Sequence, residues 1–252
     1  MMEKSFDERC AAFDENYPRV LEQIAQAAVQ AGRRPEEVTL LAATKTVPLE
    51  VVNHAISRGL SCIGENRVQE LLEKYDGLDR AHCDVQFIGQ LQTNKVKYLM
   101  GKVSCIQSVG SVRLAREISR LCQRENTTMK VLIEVNIGRE ESKGGVLPEA
   151  LLEVVDEVRQ LPGIQVEGLM AIPPICEDVK VLRLPRSHRL RGHHGAGGFL
   201  AFRKKGVSPA LTHYRFQEVD AIWQDWSISS TKCGIRRRMN TKIIMRTSSR
   251  RR

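Results

Sequence analysis

The chain has 252 residues, 42% of them hydrophobic, and a formal net charge of +9; that length supports one sizeable core and suits a single α/β barrel. No run of about 18 apolar residues occurs, so the sequence offers no membrane-spanning helix, and the mixed-charge start Met1-Met2-Glu3-Lys4 lacks the apolar stretch of an export signal. Seven scattered cysteines, odd in number and without a CxxC pair, read as reduced thiols of a cytoplasmic protein and argue against both a disulfide framework and a metal site.

From Phe6 to Ala31 the apolar residues recur mostly at three- and four-residue steps, through Cys10, Phe13, Tyr17, Val20, Ile24 and Ala28. This predicts an amphipathic helix closed by Gly32. Strand and helix patterns then alternate. Strands are expected at 38–44, 60–63, 85–88, 103–107, 130–135 and 164–170, and helices at 48–58, 66–75, 94–101, 111–125 and 148–160. Pro48 and Pro148 suit first helical turns, where no backbone donor is lost. Leu151, Val154, Val155 and Val158 form one apolar stripe on the last helix. Such alternation predicts a parallel sheet. A doubly wound sheet is the rival architecture, but no GxGxxG or GxxxxGK[ST] loop follows the first strand.

After Asp178 the pattern collapses. Residues 1–178 hold 21 Lys+Arg against 27 Asp+Glu, a net charge of −6, whereas 179–252 hold 18 against 3, a net charge of +15. The stretch Leu182–Gly198 has neither helical nor strand period, and Phe199-Leu200-Ala201-Phe202 is too short to decide. High charge with weak hydrophobic patterning is the composition of a disordered or poorly packed segment. The abruptness of the change points to a C-terminus read in another frame, or to an aberrant splice product.

Lys45 carries the chemistry. It follows the buried-strand run Val38–Thr44 where that run opens into Thr46-Val47-Pro48. In a barrel of alternating strands and helices, the C-terminal strand ends form the reaction face. A lysine held there and partly desolvated keeps a free amine that attacks an aldehyde to form a Schiff base. On position alone, a solvated loop lysine is the plainer reading.

The segments Ala43-Thr44-Lys45-Thr46, Ile63-Gly64-Glu65-Asn66-Arg67-Val68-Gln69-Glu70, Phe87-Ile88-Gly89-Gln90-Leu91-Gln92-Thr93-Asn94-Lys95, Gly138–Gly145 and Gly168-Leu169-Met170-Ala171-Ile172-Pro173 follow in that order at the spacing of successive strand ends. Together they resemble the pyridoxal-phosphate homeostasis family (YggS/PROSC-type) over roughly residues 5–178. The resemblance implies a (β/α)8 TIM-barrel of the alanine racemase N-terminal-domain type, incomplete here after the sixth strand. It divides the chain into a cofactor-binding barrel portion, 1–178, and an atypical basic tail, 179–252. It makes Lys45 the lysine that holds pyridoxal 5'-phosphate. Glu65, Asn66, Asn94 and Met170 become residues lining the pocket, with Lys95, Ser142 and Lys143 nearby. Asn66 could equally cap the helix that follows it, Met170 could simply be core, and Lys95 could be a solvated helix residue.

The sequence departs from the family twice. The usual Trp-His-Phe-Ile-Gly reads Val85-Gln86-Phe87-Ile88-Gly89 here. The family's Ser-Met-Gly-Met-Ser and Arg-x-Gly-x-x-x-Phe-Gly segments, which contact the phosphate and the pyridine nitrogen, are missing from 179–252. Barrel phosphate sites are frequently built after strands seven and eight, so their loss leaves retention resting on the lysine, and six strands alone leave an open edge.

The function so implied is vitamin B6 homeostasis in the cytoplasm by a monomer that holds the cofactor without turnover, with apo-enzymes that use it as recipients. Racemases and decarboxylases of this fold add a second domain for which this length has no room. A catalytic enzyme of racemase type remains an alternative, as does a non-functional remnant whose basic tail attracts nucleic acid.

Overall fold

The computed structural model describes residues 5–30, 32–140, 144–172, 200–205 and 241–248. The first helix, α1 (Phe6–Gln30), ends where Gly32 takes φ +66°, and Arg33 N–H reaches back to the Ala28 carbonyl at 2.8 Å. A glycine in the left-handed region is the usual helix stop. Strands and helices then alternate: β1 (Val38–Ala43), α2 (Leu49–Ser57), β2 (Cys62–Glu65), α3 (Val68–Tyr75) and β3 (Asp84–Phe87), then a 3-10 turn at Thr93–Tyr98, β4 (Cys105–Val109), α4 (Val112–Arg124), β5 (Met129–Val135), α5 (Leu151–Val158) and β6 (Ile164–Ala171).

Strands β1 to β6 pair in sequence order, every pair parallel. Among the described residues the parallel α/β repeat runs through six strands, the number the sequence predicts. The expected open edge is not observed. The short segments β7 (Leu200–Lys205) and β8 (Thr241–Ser248) pair parallel to each other and close the ring. Yet β7 runs antiparallel to β6, and β8 antiparallel to β1, so they are not the seventh and eighth strands of a (β/α)8 barrel. Leu200-Ala201-Phe202 and Ile243-Ile244-Met245 are apolar runs in a basic stretch, with Phe202, Ile243 and Ile244 of strand-favouring type.

Side chains from β1 to β6 sort into two layers. Leu41, Ala43, Cys62, Ile88, Cys105, Leu132 and Met170 form one buried cluster drawn from all six strands or their ends; only the barrel interior can gather them. The larger cluster lies between sheet and helices and includes Ile63, Phe87, Ile106 and Ile133, all 0% exposed. Alternation along each strand produces this sorting. Two strands begin later than expected, β2 at Cys62 and β4 at Cys105, because Leu60 and Val103 are buried as entry residues ahead of the ladder. No described helix is long and apolar enough to cross a membrane.

Candidate functional site

Lys45 shares the alternation of Leu41 and Ala43, whose side chains fill the interior layer. It is half-buried at the first central position of a tight turn. The Thr44 carbonyl accepts the Val47 N–H at 3.0 Å, and Thr46 holds φ +59°. A β-branched residue in that region is strained by about 1–3 kcal/mol and persists only where its surroundings impose it. Those surroundings are specific. Thr44 N–H donates to the Gly64 carbonyl at 3.1 Å, and Thr46 N–H to Glu70 Oε2 at 3.2 Å. The ammonium of Lys45 has no hydrogen-bond or ion-pair partner among the described residues.

Glu65 points the other way. Its strand neighbour Gly64 faces Leu41 and Ile88 of the interior, so Glu65 lies on the outer face of the sheet, fully buried beneath α3. Its Oε1 accepts the Thr44 hydroxyl at 2.7 Å and Lys74 Nζ at 2.9 Å. Lys74 also donates to the Thr44 carbonyl at 2.9 Å. Glu65 Oε2 is buried with no partner among the described residues.

Asn66 follows at the end of β2. It is not a helix cap. The helix starts at Val68 with Arg67 at the cap position and no side-chain cap bond, one residue too late for Asn66. Its Oδ1 is buried with no hydrogen-bond partner among the described residues, and a buried carbonyl oxygen left bare invites a partner. The Asn66 backbone is pressed against the end of β3, where a Cβ on Gly89 would sit 1.9 Å from the Asn66 carbonyl oxygen. Met170 is 1% exposed in the interior layer. Asn94 and Lys95 are exposed on the 3-10 turn after β3. Ser142 and Lys143 lie outside the described residues.

The structure therefore brings Lys45, Asn66 and Met170 to one end of six parallel strands, with Glu65 behind them. It adds Thr44 and Lys74, which sequence reasoning missed. Lys74 reads along the chain as a basic residue closing a short helix, a common dipole effect. Only the packing of α3 over β1 and β2 reveals its partners. Gln86, which replaces the usual histidine, is buried and donates to Asp84 Oδ2 at 2.7 Å while accepting from Gln107. No group of three metal-ligating side chains occurs among the described residues.

Such a site at the ends of six parallel strands in an α/β repeat defines a class of protein, and residues 16–186 match the model of the alanine racemase N-terminal domain. The chain is 49% identical over 177 residues to the pyridoxal phosphate homeostasis protein of Aquifex aeolicus, covering 70% of this chain and 77% of that one. A crystal structure from Bifidobacterium adolescentis superposes with a TM-score of 0.67 at 38% identity, covering 71% and 77% of the two chains. PipY of Synechococcus elongatus with pyridoxal phosphate bound superposes with a TM-score of 0.53 at 28% identity, covering 63% and 74%. The chain belongs to the pyridoxal phosphate homeostasis protein family.

Proposed function

We propose that this protein binds pyridoxal 5'-phosphate through Lys45 and serves intracellular homeostasis of that cofactor without turning over a substrate. The observation that carries the reading is Lys45 itself: an amine with no partner among the described residues, continuing the interior register of β1, in a turn whose Thr44 groups and Thr46 N–H are bound. The cofactor supplies an aldehyde on a pyridine ring. Lys45 would hold that group covalently through its amine, with the aldehyde oxygen lost as water. Met170 and Ala43 offer an apolar surface for the ring, and the bare Asn66 Oδ1 offers an acceptor to a hydroxyl or protonated group. Glu65, behind the sheet, supports Lys45 instead of touching the ligand, and Asn94 stands at the rim.

Residues 1–178 form the binding portion in this reading, and 179–252 are a basic tail foreign to it; sequencing the transcript across the Asp178 codon tests that division, and an intact, reproducible frame shared with relatives would contradict it. Recipients of the cofactor are apo-enzymes that require it, and the protein acts as a cytoplasmic monomer.

The test is an absorbance titration of the purified chain with pyridoxal 5'-phosphate. A saturable visible band in the parent that is absent in Lys45→Ala supports the proposal. A band that survives Lys45→Ala refutes it.

A further inference from the structure

We infer that Lys74 and Glu65 form a clamp that positions Lys45 by gripping the residue before it, an inference that rests on Lys45 being the cofactor-binding amine. Thr44 is held at three points. Its carbonyl accepts Lys74 Nζ at 2.9 Å, its hydroxyl donates to Glu65 Oε1 at 2.7 Å, and its N–H donates to the Gly64 carbonyl at 3.1 Å. Lys74 and Glu65 are joined at 2.9 Å, so both polar groups of Thr44 beyond the amide end on one ion pair. On the far side of Lys45, the strained Thr46 gives its N–H to Glu70 Oε2 at 3.2 Å. Glu70 and Lys74 both stand on α3, four residues apart and on one face. One short helix thus grips the chain on each side of Lys45 and leaves the Lys45 side chain without a partner among the described residues.

A plain anchor of helix to sheet is the rival explanation, and its energetics are poor. Glu65 has no exposed side-chain area and Lys74 only 13%. Burying two charges gives little net stability, and apolar side chains of similar size do the same work as well or better. An anchor also has no need to reach the backbone carbonyl one residue before the reactive lysine. The amine must meet an aldehyde at bonding distance, and a displacement of about 1 Å costs such reactions up to about a hundredfold. Lys74 and Glu65 are therefore positioning residues.

The experiment compares the full-length parent with Lys74→Met and Thr44→Val. Thr44→Val removes the hydroxyl link while preserving side-chain shape and the Lys74–Glu65 pair. Circular dichroism establishes folding. Trace acetylation with acetic anhydride, without pyridoxal phosphate, then reads the reactivity of Lys45 relative to exposed Lys95 by peptide mass spectrometry. The absorbance titration follows. In folded Lys74→Met the Lys45-to-Lys95 ratio shifts toward one, and loading at Lys45 weakens about tenfold or more. Thr44→Val changes both in the same direction to a smaller extent, and it carries the test should Lys74→Met not fold. A folded variant with parent-like acetylation and loading overturns the clamp. A parent that fails to load at Lys45 overturns the cofactor reading instead, while the acetylation ratio still reports on the clamp.

Discussion

At the scale of single residues, the Lys74–Glu65 pair dominates the energetics of the site. Removing one member leaves the other charged, buried and unmatched, which costs about 3–5 kcal/mol. Replacing both with apolar residues removes that penalty. Lys74→Ala is expected to lower the thermal midpoint severely, and Lys74→Met combined with Glu65→Leu to restore most of it. Equal destabilisation by the single and double variants in thermal melts would show that the pair is not coupled. Cys83 is a second buried titratable group; burial, then the nearby Asp84 charge, push its thiol up to about 12. It stays protonated and inert at neutral pH.

The residue scale is also where legibility ended. Lys45 could be read because its register follows from Leu41 and Ala43 on the same strand. The apparent ambiguity of Asn66 came from starting the helix at Arg67 instead of Val68. Lys74 lies nine positions from Glu65 and thirty from Thr44, separations no local period connects. It becomes a partner only through the tertiary packing of α3.

At the scale of elements, two contacts set the frame. The end of β2 and the end of β3 touch with no room for a side chain. Gly89→Ala would bring a Cβ against the Asn66 backbone oxygen, and backbone on both sides cannot yield cheaply. We expect Gly89→Ala to destabilise the fold and to weaken loading at Lys45 by displacing the Asn66 turn. Parent-like melting and loading would mean that the contact is slack. The second contact ties α1 to α2. Asp14 on α1 meets His54 Nε2 at 2.9 Å and Arg58 at 3.0 Å. The His54 hydrogen bond, then Arg58, hold its carboxyl below the ordinary value of 3.8 despite some desolvation. A carboxyl depressed in the folded state stabilises the fold at pH above its unfolded value. That contribution is lost as pH falls from about 3.8 through the folded value. Asp14→Asn should therefore reduce stability at neutral pH and flatten its fall in that acid window. Denaturant melts across the window check this; parallel curves for parent and variant would count against it.

The helices and strands themselves were largely legible, because apolar stripes such as Leu151 to Val158 fix which face is buried. Boundaries moved where buried residues enter a strand before the ladder begins, as at Leu60 and Val103. Glycine and charge at Gly64-Glu65 concealed the end of β2, although both residues belong to it.

At the scale of the molecule, six parallel strands and their helices account for the family resemblance. The remaining strands, β7 and β8, close the ring against the direction of the repeat. Their pairing could not be read from the chain, since a three-residue apolar run in a basic segment states neither its neighbour nor its direction. The charge reversal after Asp178 was plain, and it coincides with the end of the parallel repeat. The segments that the family resemblance leads one to expect late in the chain are missing from the same region, so under the proposed function binding would rest on Lys45, its clamp and the interior layer.

The most direct measurement is borohydride trapping of the full-length protein after incubation with pyridoxal 5'-phosphate, followed by peptide mapping. Hydride reduces the carbon–nitrogen double bond and leaves the label on the lysine that formed it. A single label on the peptide containing Lys45, near one per chain, is the result this account predicts. Label spread over exposed lysines such as Lys95, with none concentrated at Lys45, would contradict it.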